Sequence, residues 1–149
     1  MMKELEIKSV IKVCQMEELT AEEQHVLQLA VAATSRSYAP YSRFCVGAAV
    51  RLANGVEVIG SNQENAAYPS GLCAERIALF AAGTQYPDQA VELLAIAART
   101  PGGELQAEPV SPCGGCRQVI IETETRYRHP VRLLLYGTKH VYVVDGIGQ

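Results

Sequence analysis

Cys73 stands two residues before Glu75 in the run Ser70-Gly71-Leu72-Cys73-Ala74-Glu75-Arg76, and Cys113 and Cys116 form a Cys-x-x-Cys pair directly behind Pro112. Three thiols and one carboxylate, in two clusters that each open a helical pattern, are what a metal ion with its own proton carrier needs. A Cys-x-x-Cys alone is weak, since it also fits a redox pair, half of a structural zinc site or two packed core residues. A redox pair leaves Cys73 and its neighbouring acid without a role. A closed structural zinc site takes four ligands, yet there is no second Cys-x-x-Cys, and His25, His129 and His140 stand apart from both clusters. Three ligands leave one position for water, which is the arrangement of a catalytic zinc, one per chain. Glu75 then reads as the proton shuttle. A first-turn acid that merely complements the helix dipole is the competing reading.

The elements that must carry these residues follow from pattern. Cys73 to Ala82 is rich in helix formers and ends at Gly83; Ser111 can cap a helix with Pro112 at its first position, running to about Glu124. Cysteines in first turns meet unpaired amides and the positive end of the helix dipole, which favour the thiolate. Upstream, Thr20 and Glu23 form a capping box for a helix whose buried face holds Val26, Leu29, Ala30 and Ala33 and which must stop before Pro40. Cys45–Leu52 and Val56–Ser61 read as a hairpin around Ala53-Asn54-Gly55, and Asn62–Leu72 as the loop that delivers the chain to Cys73. Val91–Ala98, Val131–Tyr136 and His140–Val144 are further strands. Leu5–Val13 alternates apolar and charged residues, as a half-buried edge strand does; a loosely packed amino-terminal arm is the alternative. Strands alternating with helices after a hairpin predict an α/β fold. The whole of residues 1–149 is expected as one domain with a single mixed sheet and helices on both faces.

Composition excludes several classes. With 48% hydrophobic and 19% charged residues and no low-complexity tract, 149 residues can bury a core without disulfides. Five cysteines, three of them in the two clusters, argue against a disulfide framework. No apolar run is long enough for a membrane span. The scattered charges of Met1–Val13 argue against a secretory signal and make the cytoplasm the expected compartment. Thirteen basic against sixteen acidic residues, with no basic run, speak against a nucleic-acid partner and for a free small-molecule substrate.

A non-ligand Glu near a first metal ligand, followed later by Pro-Cys-x-x-Cys, is the pattern of zinc deaminases acting on cytosine or adenine, usually with His as the first ligand. Here that ligand is cysteine. With SYAPYSRFCVGAAV, NQENAAYPSGLCAERIALF and PVSPCGGCRQVI, the chain resembles the small homo-oligomeric cytidine deaminases that act on free nucleosides, over a stretch from about Tyr38 to the last strand. The resemblance implies a three-layer α/β/α sandwich around a five-stranded mixed sheet, to which Leu5–Val13 would add an amino-terminal edge strand. It implies that Cys73, Cys113 and Cys116 hold one Zn2+ per subunit, that Glu75 moves protons, and that cytidine and deoxycytidine lose their amine to give uridine and deoxyuridine in pyrimidine salvage. It also implies that Asn62 and Glu64 hold the ribose hydroxyls, that Phe44 packs against the pyrimidine ring, that Ala74 is a further substrate-binding residue, and that the subunits form a homotetramer. Three thiolates leave a zinc dication formally one unit negative, so Arg76 and Arg117, each adjacent to a ligand, are expected to donate to the sulfurs. A deaminase of a cytosine-bearing nucleoside antibiotic and a non-catalytic zinc-binding interaction module are the alternatives. One departure is at the end: the family continues into a Leu-Leu-Pro segment near an aromatic residue that completes a neighbouring site, whereas this sequence reads Val144-Asp145-Gly146-Ile147-Gly148-Gln149.

Overall fold

The capping box at Thr20 opens the first helix as its sequence requires. In the computed structural model, which describes residues 1–100 and 103–147, the Thr20 hydroxyl accepts the Glu23 amide at 3.2 Å, and Glu23 Oε1 accepts the Thr20 amide at 2.9 Å. Helix α1 runs Ala21–Ala33 and buries Val26, Leu27, Ala30 and Ala33; Leu27 takes the fully buried place expected for Leu29. The segment closes with a 3-10 turn at Thr34–Arg36, short of Pro40. The remaining elements, in chain order, are β1 (Lys12–Cys14, ahead of α1), β2 (Cys45–Leu52), β3 (Glu57–Ser61), α2 (Ala74–Gln85), β4 (Val91–Arg99), α3 (Gly114–Tyr127), β5 (Arg132–Tyr136) and β6 (Val141–Asp145). The β2–β3 turn is closed by Gly55 at φ 87°, with its amide on the Leu52 carbonyl and Asn54 Oδ1 accepting the Val56 amide.

The sheet is mixed and has six strands rather than five, in the order β1-β6-β5-β4-β2-β3. The sixth is the amino-terminal strand, reduced to three residues at the edge: Lys12–Cys14 pairs antiparallel with Val141–Val143, and residues 1–11 carry no strand. The shortening has a physical reason. Strand β6 ends at Asp145, and Gly146 takes φ 87° with its amide bonded to Val131, so residues upstream of Val10 have no ladder to join. Among the described strands β4 and β5 alone pair in parallel, and the chain between them passes through α3, as a parallel crossover demands. The carboxyl-terminal Gly148 and Gln149 lie outside the described residues, so the departure noted at the chain end is described only to Ile147.

Side chains alternate between two cores. Ala48, Val50, Leu52, Leu94, Ile96, Leu133 and Leu135 pack with Ala74, Ala78, Leu79 and Ala82 of α2 and Ile120 of α3. Ala49, Ala95, Ala97 and Leu134 pack instead with Val26, Leu27 and Ala30 of α1. This is the period-two reading of a sheet buried on both sides. Two glycines set how closely the helices approach. A Cβ on Gly47 would stand 2.1 Å from the Ala30 carbonyl oxygen, and one on Gly60 would stand 2.5 Å from the Ala74 oxygen and 2.6 Å from the Ala78 nitrogen. Gly60 therefore fixes the depth of the first turns of α2, the helix behind Cys73. Gly60→Ala would push against helix backbone and the short Ala78 side chain, neither of which can swing away, and is expected to cost about 1 to 3 kcal/mol, as overpacking does. Chemical denaturation and zinc titration of this variant should show stability and metal affinity falling together; unchanged values for both would contradict the close approach.

Candidate active site

Each cysteine cluster starts a helix, but by a different route from the one expected. Cys73 is the N-cap residue of α2, with φ −71° and ψ 154°. Cys113, not Ser111, caps α3: its Sγ accepts the Cys116 amide at 3.4 Å, and Gly114 is the first helical residue. The thiol does the work of a capping hydroxyl, which moves the helix start two residues past Pro112. The three Sγ atoms of Cys73, Cys113 and Cys116 lie within 4.8 Å of one another, from partly buried, exposed and buried residues respectively. Thiolates at about 2.3 Å from a tetrahedral ion stand roughly 3.8 Å apart, so this donor set fits zinc with a contraction of about 1 Å at most.

Electrostatics separates the three thiols. Hydrogen bonding from the Cys116 amide draws Cys113 down to about 7. Burial raises Cys73, and burial followed by the charge of Glu75 raises Cys116 strongly. Helix-start stabilisation thus wins at Cys113, while desolvation outweighs it at the other two. Glu75, in the first turn of α2, is only 4% exposed and close enough to Cys116 to act on it both as a charge and as a hydrogen-bond partner.

The two arginines divide. Arg76 Nη2 donates to Cys73 Sγ at 3.6 Å, and its guanidinium is held above its ordinary pKa, first by hydrogen bonding to Cys116 and then by the charges of Cys73 and Cys116. Arg117 is exposed, and its Nε donates at 3.2 Å to the Pro112 carbonyl, so its described hydrogen bond goes to the backbone of the cysteine segment rather than to a sulfur.

Beside the thiols opens a cleft of about 500 Å3 whose walls include Asn62, Glu64, Cys73 and Arg76, with Tyr41 and Tyr68. Ala74 is fully buried at the first position of α2. Phe44, partly buried at the entry to β2, is not among the cleft-lining residues. Asn62 and Glu64 already have protein partners. The Asn62 amide donates to the Phe44 carbonyl and accepts the Val46 amide, each at 2.8 Å. Glu64 Oε1 accepts the Tyr41 and Ser42 amides at 3.0 and 3.2 Å, and Oε2 accepts the Ser42 hydroxyl. The hydroxyl first, then the amides, hold the Glu64 carboxyl below the usual range. Sequence reasoning missed Ser42, which lies 22 residues from its partner; Tyr68, which the sequence places beside the site as suited to a subunit contact or a core, is 92% exposed on the cleft wall and so is not core.

Three converging thiols, a buried acid behind them and an arginine on the sulfurs, held at two helix starts beside an open cleft, define a zinc-binding enzyme domain of the three-thiolate kind. Residues 20–128 match the model of the cytidine and deoxycytidylate deaminase zinc-binding region, and the chain belongs to that family. Among curated relatives it is 42% identical over 99 residues to the cytidine deaminase of Halalkalibacterium halodurans, covering 66% of this chain and 70% of that one. It is 46% identical over 90 residues to the cytidine deaminase of Sporosarcina psychrophila, covering 60% and 61%. Among solved structures it is similar to the cytidine deaminase from Burkholderia pseudomallei, at 34% identity and a TM-score of 0.70 over 85% of this chain and 93% of that one.

Proposed function

We infer that this chain is a zinc-dependent hydrolase that removes the exocyclic amine of cytidine and deoxycytidine, giving uridine and deoxyuridine plus ammonia. The observation that carries this reading is the buried Glu75 carboxyl set against three convergent thiols at the edge of a cleft. Zinc held by Cys73, Cys113 and Cys116 supplies a Lewis acid that makes water a nucleophile at neutral pH. Glu75 accepts a proton from the attacking water and delivers it to N3 of the pyrimidine as the oxygen bonds to C4. It then takes the proton of the new C4 hydroxyl and hands it to the amine. The C4–N bond breaks, ammonia leaves, and the carbonyl of the uracil ring remains. Its place in the first turn of α2, only 4% exposed, limits the access of bulk water to this carboxyl. Ammonia release from cytidine, compared between the wild type and Glu75→Ala at equal zinc content, tests the reading.

Asn62 and Glu64, on the cleft wall, serve as sugar contacts, Phe44 and Ala74 are assigned to substrate by the resemblance although neither lines the cleft, and Arg76 offsets the excess charge of three thiolates. The contact of Arg76 with Cys73 supports the last role. Arg76→Gln is expected to weaken zinc binding about 10- to 100-fold, the usual effect of losing a group that supports a metal ligand; an unchanged zinc affinity would remove Arg76 from this role. Arg117 acts on the centre by holding the Pro112 carbonyl, and so the backbone that leads into Cys113.

The wider architecture in this reading is a single three-layer α/β/α domain, supported by the two cores on either side of the sheet. The chain works as a homo-oligomer. Exposed Tyr41, Tyr68 and Leu72 along the cleft suit burial against a second copy, and sedimentation velocity of the zinc-loaded protein should show a species larger than the 16.1 kDa monomer. A monomer at all concentrations would contradict this assembly.

A further inference from the structure

The segment entering β2 and the loop leaving β3 are joined by a side-chain relay centred on Ser42. Its hydroxyl donates to Glu64 Oε2 and accepts the Phe44 amide at 3.0 Å, while Glu64 Oε1 takes the amides of Tyr41 and Ser42. On the other side of Phe44, Asn62 bridges the Phe44 carbonyl and the Val46 amide. Between these anchors Arg43 sits at φ 60°, a region non-glycine residues enter uncommonly and keep only where the surroundings hold them.

A count of hydrogen-bonding capacity gives the consequence. A carboxylate offers about four acceptor sites, and three on Glu64 are filled, leaving one on Oε2 beside the Ser42 hydroxyl. The Asn62 amide has used one of its two N–H groups and one of its two lone pairs. What remains is one acceptor on Glu64 and one donor on Asn62, the complement of a hydroxyl that gives its proton to a carboxylate while accepting from an amide.

We propose that Ser42 is a positioning residue for nucleoside recognition: its hydroxyl aims the vacant Oε2 lone pair at a sugar hydroxyl and, through the Phe44 amide, sets the aromatic ring that borders the base. This rests on the reading of Asn62, Glu64 and Phe44 as nucleoside contacts. None of the described hydrogen bonds of Ser42 reaches a cysteine or Glu75, so its effect falls on binding rather than on the chemical step.

The test is steady-state kinetics on cytidine with the zinc-loaded wild type, Ser42→Ala, Ser42→Thr, Ser42→Val and Glu64→Gln. Ser42→Ala should raise KM about tenfold, the lower end for losing a hydrogen bond to a charged group, with kcat within about twofold and zinc content unchanged. Threonine keeps the hydroxyl and should restore KM to within about threefold, while the isosteric valine should not. That pair reads the hydroxyl even where the alanine variant fails to accumulate. An unchanged KM in both Ser42→Ala and Ser42→Val, a fall in kcat at constant KM, or equal behaviour of threonine and valine overturns the proposal. Glu64→Gln separates the two levels. A raised KM there with no effect at Ser42 overturns the positioning role alone, whereas an unchanged KM in Glu64→Gln overturns the sugar-contact reading and the role of Ser42 with it.

Discussion

Zinc-loaded Glu75→Ala is expected to release ammonia from cytidine on the order of a thousandfold more slowly than the wild type, within the range that a positioned acid and base contributes. The carboxyl is assigned both proton transfers, and no second described acid is grouped with the thiols: the metal-ligating cluster holds only Cys73, Cys113 and Cys116. Zinc content should stay at one per chain, because Glu75 borders the sulfurs without being counted among the ligands. Glu75→Gln keeps the shape and cannot carry the proton, and it should fall as far as alanine. Metal analysis alongside the rate measurement checks both halves. Turnover within about tenfold of the wild type at equal zinc would move the proton carrier elsewhere.

Cys116→Ala is expected to abolish activity by a different route, through the metal. Structural zinc sites bind with roughly 10 to 16 kcal/mol shared among four ligands, so one thiolate is worth about 3 kcal/mol, or on the order of a hundredfold in affinity. Cys116 is the buried member of the set, so its loss leaves a gap where solvent does not readily replace the missing thiolate. The wild type should also show a proton count on loading. Cys73 and Cys116 are raised from the ordinary thiol value and are protonated at pH 7, while Cys113, drawn down to about 7, is partly ionised. Binding three thiolates then expels between two and three protons at pH 7, and apparent affinity must fall as pH is lowered, since protons compete for the same sulfurs. Calorimetric titration in buffers of different ionisation enthalpy reads that number. Zinc uptake without proton release, or with tighter binding at low pH, would contradict the assignment of all three thiols.

Much of the site was legible in the sequence because the determinants are local. The capping box needs only Thr20 and Glu23, the hairpin needs Gly55, and the cysteines sit at helix starts marked by composition on one side and Pro112 on the other. What was misread depended on atoms distant in sequence or on a residue used against type. Ser111 is the better capping side chain in isolation, yet a thiol caps α3 because Cys113 must face Cys73 across the helix starts. Gly83 does not end α2, which continues to Gln85 just ahead of Pro87, and its bare Cα lets Arg126 of α3 come close. The amino-terminal alternation from Leu5 to Val13 was sound as a pattern, but strand length is limited by the partner: β6 ends at Asp145, opposite Val10, so residues upstream of Val10 have nothing to pair with, and the strand itself spans only Lys12–Cys14. Asn62 and Glu64 were legible as polar residues before Cys73. That half of their hydrogen-bonding capacity or more is spent on residues 41–46 is a tertiary fact that spacing does not carry.

A nucleoside deaminase built on a three-thiol zinc centre must release ammonia from free nucleosides. Zinc-loaded wild-type protein is incubated separately with cytidine, deoxycytidine, cytosine and a cytosine-containing oligonucleotide, and ammonia release is followed for each. Both nucleosides should turn over, with uridine and deoxyuridine as the matching products, and the oligonucleotide should not. A chain that carries one zinc and releases no ammonia from either nucleoside would contradict this reading and leave a metal-binding module in its place.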